Sequence, residues 1–190
     1  AGTEVDLNER WKIIEWGLNQ KDKEFKRLAL RAMATGLSFG HATRVIGAEV
    51  QGGKRLVDYV PNNTAVIEYW NNILNKLFQL IINCDEDAEL ASEAIANSVR
   101  GICRARLAEV ILPFMEKIIK VKNNDWDNGL ISLKQVRKYG KSFLSENQQK
   151  FVNQLINSLT KTDFLSKYLS LSKAYHLEED ESYSDDKVIE

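Results

Sequence analysis

Histidine, cysteine, proline and methionine occur only twice each in this chain of 190 residues, and the first two shortages each remove a class of protein. His41 and His176 are too few to build a histidine-rich metal centre. Cys84 and Cys103 form no C-x-x-C and have no histidine nearby in sequence, so they read as buried thiols in a reducing compartment rather than a metal site or a disulfide. Apolar runs fall short of the ~18 residues that a membrane span needs. The opening AGTEVDLNERW has neither the basic nor the apolar region of a secretory signal, and a soluble, cytoplasmic protein is the expectation. Because the chain opens without methionine and runs at once into a helix signal, it also reads as cut from a longer protein. Sustained apolar–polar alternation is missing, which argues against strands. So are the P-loop, the Rossmann fingerprint, H-E-x-x-H and every zinc-ligand spacing, and no cofactor is expected.

What is abundant is helical periodicity. With 44% hydrophobic and 28% charged residues the composition is that of an ordinary globular protein, and the length suits one domain or a short helical stack. Asp6 and Glu9 have the spacing of a capping box, after which Leu7, Trp11, Ile14 and Leu18 recur at helical spacing. A second helix starts near Asp22 and carries Phe25, Leu28, Ala29, Ala32, Met33 and Leu37 as one stripe; the short link implies an antiparallel pair. Pro61 disfavours helix at Val60, while Asn62, Asn63 and Thr64 offer a cap for the strongest helix, with Val66, Ile67, Trp70, Ile73, Leu74, Leu77, Phe78 and Ile81 in the core. Acids at 85–87 open a fourth helix with Leu90, Ala91, Ala94, Ile95 and Val99, which stops near Gly101. Pro113 interrupts the run at 102–121 and predicts a kink or two abutting helices. After a turn at 123–127, Leu130, Leu133 and Val136 lead to Gly140, and Ser145 with Gln148 forms a second capping box before Phe151, Val152, Leu155, Ile156 and Leu159. Phe164, Leu165, Tyr168, Leu169 and Tyr175 mark a last helix.

The fold class is therefore all-α: about eight helices as stacked antiparallel pairs, in an α-solenoid or an irregular helical bundle. One helical domain spans 1–177. Residues 178–190 hold too few apolar side chains to repay ordering and read as a disordered acidic tail.

Two features depart from the helical pattern. Residues 35–63 contain five of the ten glycines, with a short helix expected over 42–50 and a turn at Gly52 and Gly53. His41, Arg44, Glu49, Gln51, Lys54, Arg55 and Tyr59 lie here and are the candidate partner-binding residues, since loops on a rigid scaffold are common binding sites. The competing reading is an internal loop whose polar groups cap the adjoining helices. The second feature is charge. The net value of −1 conceals −6 in residues 178–190, which leaves +5 on the rest, and residues 97–141 alone carry +6. Arg100, Arg104, Arg106, Lys134, Arg137, Lys138 and Lys141 form the candidate nucleic-acid surface, with the acidic tail as its mask.

Three motifs fail on their physical context. Gly36, Ser38 and Gly40 satisfy G-x-S-x-G, but a nucleophile elbow needs a strand before it, and here a helix precedes; a helix end followed by Ser38 is the better account. The stretch from Asn124 has an EF-hand cadence through Gly129 and Ile131, yet puts Trp126 third and Gln135 twelfth, where calcium needs oxygen ligands of other kinds. The helices either side of Gly140 suggest a helix-turn-helix whose second member offers only Asn147, Gln148 and Gln149 to base edges. Glu49, Asp58 and Glu68 are the acids whose convergence would suggest an enzyme.

Asp22 through Ala32 resembles the second helix of a HEAT repeat: an acidic start, basic residues outward and small ones inward, echoed from Asp85 to Ile95. Arg27, Arg31, Gly40, His41, Arg44, Gly47, Gly52, Asp58 and Pro61 occur in a succession that resembles the helical region downstream of the NTPase core in large bacterial P-loop proteins of the sensing and defence kind. The resemblance implies a sensor or regulatory segment and places no nucleotide here. The expected function is a non-catalytic protein-interaction or regulatory module of such a protein, with a partner chain or adjoining domain and no membrane; the alternative is a nucleic-acid binder.

Overall fold

The computed structural model describes residues 5–38, 59–83 and 86–160. Within them the chain forms seven α-helices and no strand: α1 Leu7–Leu18, α2 Lys23–Gly36, α3 Asn63–Ile82, α4 Ala88–Arg104, α5 Ala108–Val121, α6 Asp127–Tyr139 and α7 Glu146–Leu159. The helix expected at 42–50, the turn at Gly52 and Gly53, the last helix, the acidic tail and Cys84 lie outside the described residues.

Side chains define most of the helix starts. Asp6 accepts the Glu9 amide at 2.8 Å, Asp22 that of Glu24 at 2.9 Å and Asn62 that of Ala65 at 2.8 Å. At α7 the capping box closes in both directions, Gln148 N to Ser145 Oγ at 3.3 Å and Ser145 N to Gln148 Oε1 at 2.9 Å. Glu9, expected to close the first box, instead accepts from Lys12 Nζ at 2.6 Å.

The middle of the chain breaks in a different place from the one the sequence suggests. α4 runs past Gly101 to Arg104, so Cys103 lies in its last turn, and α5 passes through Pro113 as one helix. The reversal between them is at Arg106, which takes φ 62 while Leu107 N bonds Ile102 O at 3.2 Å and Arg106 N bonds Cys103 O at 2.9 Å. This is the glycine-type helix terminus with an arginine in its left-handed position. Asn123 and Asn124 make the next reversal at φ 52 and 61, a conformation asparagine tolerates well.

The helices stack in two layers. The odd helices pack in the order α1, α3, α5, α7 and the even ones in the order α2, α4, α6, with each hairpin linking the layers. Lys23 reaches Glu86 at 2.9 Å and Arg100 lies 5.2 Å from the Tyr139 ring centroid, so the even helices run parallel with their starts at one end and their last turns at the other. Between the layers, Met33, Ile73, Leu77, Ile95, Ile102, Ile111 and Met115 are fully enclosed. Trp70 joins two hairpins: its buried indole donates to Gly36 O at 3.0 Å, at the end of α2. No helix among the described residues is long and apolar enough to cross a membrane.

Candidate interaction surface

Where the even helices meet, α2 and α4 pack sparsely and leave a groove of about 400 Å³. Leu30, Ala34, Leu90 and Ala94 form its apolar lining; Arg27 and Arg31 line it from α2, Glu93 and Asn97 from α4. Periodicity assigned Leu90 to the core, but it is 55% exposed, as the apolar stripe of α4 is wider than the strip its neighbours cover. Nothing in the sequence singles out this groove, because a periodic stripe does not say which of its edges is left open.

Further along α4 the same surface becomes basic. Arg100 on α4 and Lys138 on α6 both approach the half-exposed Tyr139, at 5.2 and 5.6 Å from its centroid, contacts worth about 0.5–1 kcal/mol each when exposed. Arg104 occupies the last turn of α4, and Arg137 and Lys138 that of α6, where positive charge suits the carbonyl end of a helix. Arg106 sits in the following turn and is exposed. Arg137 and Lys141 line a second cavity of about 310 Å³ together with Leu144, Gln149, Val152 and Asn153. Lys134 is partly buried on α6. Thus the structure brings Arg100 and Lys138 together around one ring and Arg137 and Lys141 into one cavity.

Two of the three side chains offered for base readout are committed elsewhere. Gln148 closes the cap of α7, and Gln149 Nε2 donates to Leu144 O at 3.0 Å and Lys141 O at 3.2 Å. A helix-turn-helix that reads sequence through α7 would have to break these bonds.

Of the glycine-rich candidates, His41, Arg44, Glu49, Gln51, Lys54 and Arg55 lie outside the described residues, while Tyr59 is partly buried against the core. Among the acids considered for catalysis, Glu49 and Asp58 also lie outside, and Glu68 is exposed on α3. Ser38 ends α2: its hydroxyl donates to Thr35 O at 2.6 Å. Trp126, third in the calcium-loop cadence, is buried in the core. No group of three or more His, Cys, Asp or Glu among the described residues is placed to hold a metal.

Cys103 is a core residue at 1% exposure, and its burial, with a smaller contribution from the nearby Glu109 charge, pushes the thiol up to about 12 from the ordinary 9.0. Below the ordinary value both folded and unfolded chains carry a neutral thiol. Above it only the unfolded chain ionises, so stability falls between about pH 9 and 12 by about 1.4 kcal/mol per unit. Urea unfolding at about pH 8 and about pH 10.5 should therefore show a loss of about 2 kcal/mol in the parent that Cys103→Ala lacks. Equal losses in both proteins would mean that the thiol is solvated.

Comparison of the chain with protein families, curated proteins and solved structures found no match.

Proposed function

We propose that this protein is a non-catalytic interaction module whose even-helix face takes a protein partner. The observation that carries the reading is the α2–α4 groove. Its exposed Leu90 offers an apolar seat beside Arg27 and Arg31, which suits an acidic segment with an apolar anchor. Affinity capture from source cells with the whole chain, compared with Arg27→Glu plus Leu90→Asp, tests it. A partner retained by the parent and by Arg104→Glu, but lost by the double variant, is the expected result. Retention by all three proteins would remove the groove from the reading. The resemblance of residues 27–69 to large bacterial NTPase-type proteins adds the proposal that the partner is an adjoining domain, for which a P-loop encoded in frame upstream would be the supporting find.

A second reading rests on Arg100, Lys138 and Tyr139: a half-exposed aromatic ring with two cations near it suits single-stranded nucleic acid, which binds through stacking and phosphate contacts. It expects salt-dependent binding of a labelled single-stranded oligonucleotide that Arg100→Ala weakens and truncation after Leu177 tightens. No binding at low salt would end it.

A further inference from the structure

Between Lys134 and Asn153 the chain carries five cations, Lys134, Arg137, Lys138, Lys141 and Lys150, against one acid, Glu146. The corner between α6 and α7 brings two of them to one place. Arg137 lies in the last turn of α6 and Lys141 opens the short 3-10 turn Lys141–Phe143 that follows, and both line the cavity of about 310 Å³ whose apolar lining is the buried Leu144 and Val152. Several surface cations are neutralised by a neighbour, as Lys12 is by Glu9, Lys23 by Glu86 and Lys120 by Glu116. Arg137 and Lys141 pair with no acid among the described residues, Glu146 included. The walls are held by the fold itself. Gln149 Nε2 donates to Leu144 O at 3.0 Å and Lys141 O at 3.2 Å, which ties the turn to α7. Phe143 N bonds Gly140 O at 2.9 Å within the turn, and the box of Ser145 and Gln148 fixes the chain as it enters α7. Gly140 is needed at the bend, since a Cβ there would stand 2.8 Å from Val136 O. The end of α6 and the start of α7 bring opposite partial charges of about half a unit to this corner, so the side chains decide its sign. Small-molecule sites are concave and mostly apolar, with a few polar groups to orient the occupant, in volumes from about 300 Å³ upward. This cavity has that composition, with two cations from the α6 side and the Asn153 amide from α7.

We propose that this cavity is a binding site for a small organic phosphate, with Arg137 and Lys141 on the phosphate and Leu144 and Val152 against the apolar or aromatic body that carries it. Two unneutralised cations select a dianion: a phosphate monoester carries about −1.5 to −2 near neutral pH, a carboxylate only about −1. The guanidinium presents a planar fork that matches phosphate oxygens, and the ammonium adds a point charge. Both side chains are exposed, and exposed ion pairs are weak singly, so inorganic phosphate alone is held poorly and the apolar body adds the rest of the hold. Because the Gln149 amide nitrogen is committed to two carbonyls, Asn153 is the uncharged side chain left to donate to a polar group on that body. The site lies on the α7 side of α6, apart from the α2–α4 groove and from the contact of Arg100 with Tyr139 on the α4 side. It stands whether or not either of those binds anything.

Phenyl phosphate, titrated into the isotope-labelled whole chain and followed by backbone amide shifts, tests the proposal. The expected result is a saturable response centred on Lys141, Leu144, Val152 and Asn153, with an affinity about tenfold or more above that of inorganic phosphate or benzoate. Arg137→Gln plus Lys141→Gln should weaken binding about tenfold or more while leaving the helical circular dichroism unchanged, because both side chains already face solvent. Arg100→Gln, on the other side of α6, should leave it unaltered. No saturation by about 10 mM would overturn the proposal, as would equal affinity for phenyl phosphate and inorganic phosphate, or binding that survives the double variant. A single-stranded oligonucleotide that binds through Arg137 and Lys141 where phenyl phosphate does not would assign the corner to nucleic acid, and would overturn it as well.

Discussion

Gly129→Ala should lower stability by about 2–3 kcal/mol, although alanine is the better helix former by about 1 kcal/mol. Gly129 is in the first turn of α6, and nothing in its backbone demands glycine. What demands it is Trp126. A Cβ at position 129 would stand 2.3 Å from Trp126 Cε3 and 2.5 Å from Cδ2, far inside contact distance. The indole is itself buried among close-packed side chains, so relief requires the start of α6 to move off the core. Overlap with a buried ring therefore outweighs the gain in helix propensity. Urea denaturation of the two proteins decides the matter. A stabilised Gly129→Ala would mean that the ring does not rest on this glycine.

Removing the Trp70 side chain should cost more, about 3–5 kcal/mol for Trp70→Ala. The ring is buried in the core, so the loss combines transfer of a large apolar surface with a cavity the neighbouring helices do not fill. The variant also gives up the bond to Gly36 O, worth about 1 kcal/mol. Trp70→Phe separates the two contributions: it keeps most of the packing and loses the bond, and should cost about 1–2 kcal/mol. Thermal melts of both variants test the ordering. Similar losses would place the energy in the hydrogen bond rather than in the packing. The contact joins α2 to α3, so the consequence should be felt at the first hairpin before the rest of the stack.

Local chemistry was the part of the fold that could be read in advance. Asn62 and the pair Ser145 and Gln148 cap helices in the structure as the sequence implies, and α2 starts beside Asp22, because a helix start is decided within four residues. The errors came where tertiary packing overrode a local preference. Glycine at 101 costs roughly 1 kcal/mol in a helix, but ending α4 there would expose Ile102, whose full burial is worth about 1.5–3 kcal/mol. Pro113 forfeits one amide bond and crowds the Glu109 carbonyl, yet Ile111, Leu112, Phe114 and Met115 are all buried around it, and the helix holds. Nothing in Arg106 advertises a left-handed turn. The same limit applied to the surface. Phe25, Leu28 and Leu90 fit apolar stripes that periodicity assigns to a core, and only the positions of neighbouring helices reveal them as exposed. Basic residues grouped by sequence at 97–141 were partly assembled by the fold, with Arg100 and Lys138 on one ring.

The unequal seams of the even layer give the molecule a direction of compliance. α4 lies closely along α6, whereas α2 meets it sparsely, tied by an exposed pair between Lys23 and Glu86 that contributes at most about 1 kcal/mol. A load between the two ends of the stack is therefore taken up first at the α2–α4 seam, much as a spring of mixed wire stretches at its thinnest coil. Since that seam is also the groove, the opening lies where the even layer is least tightly held.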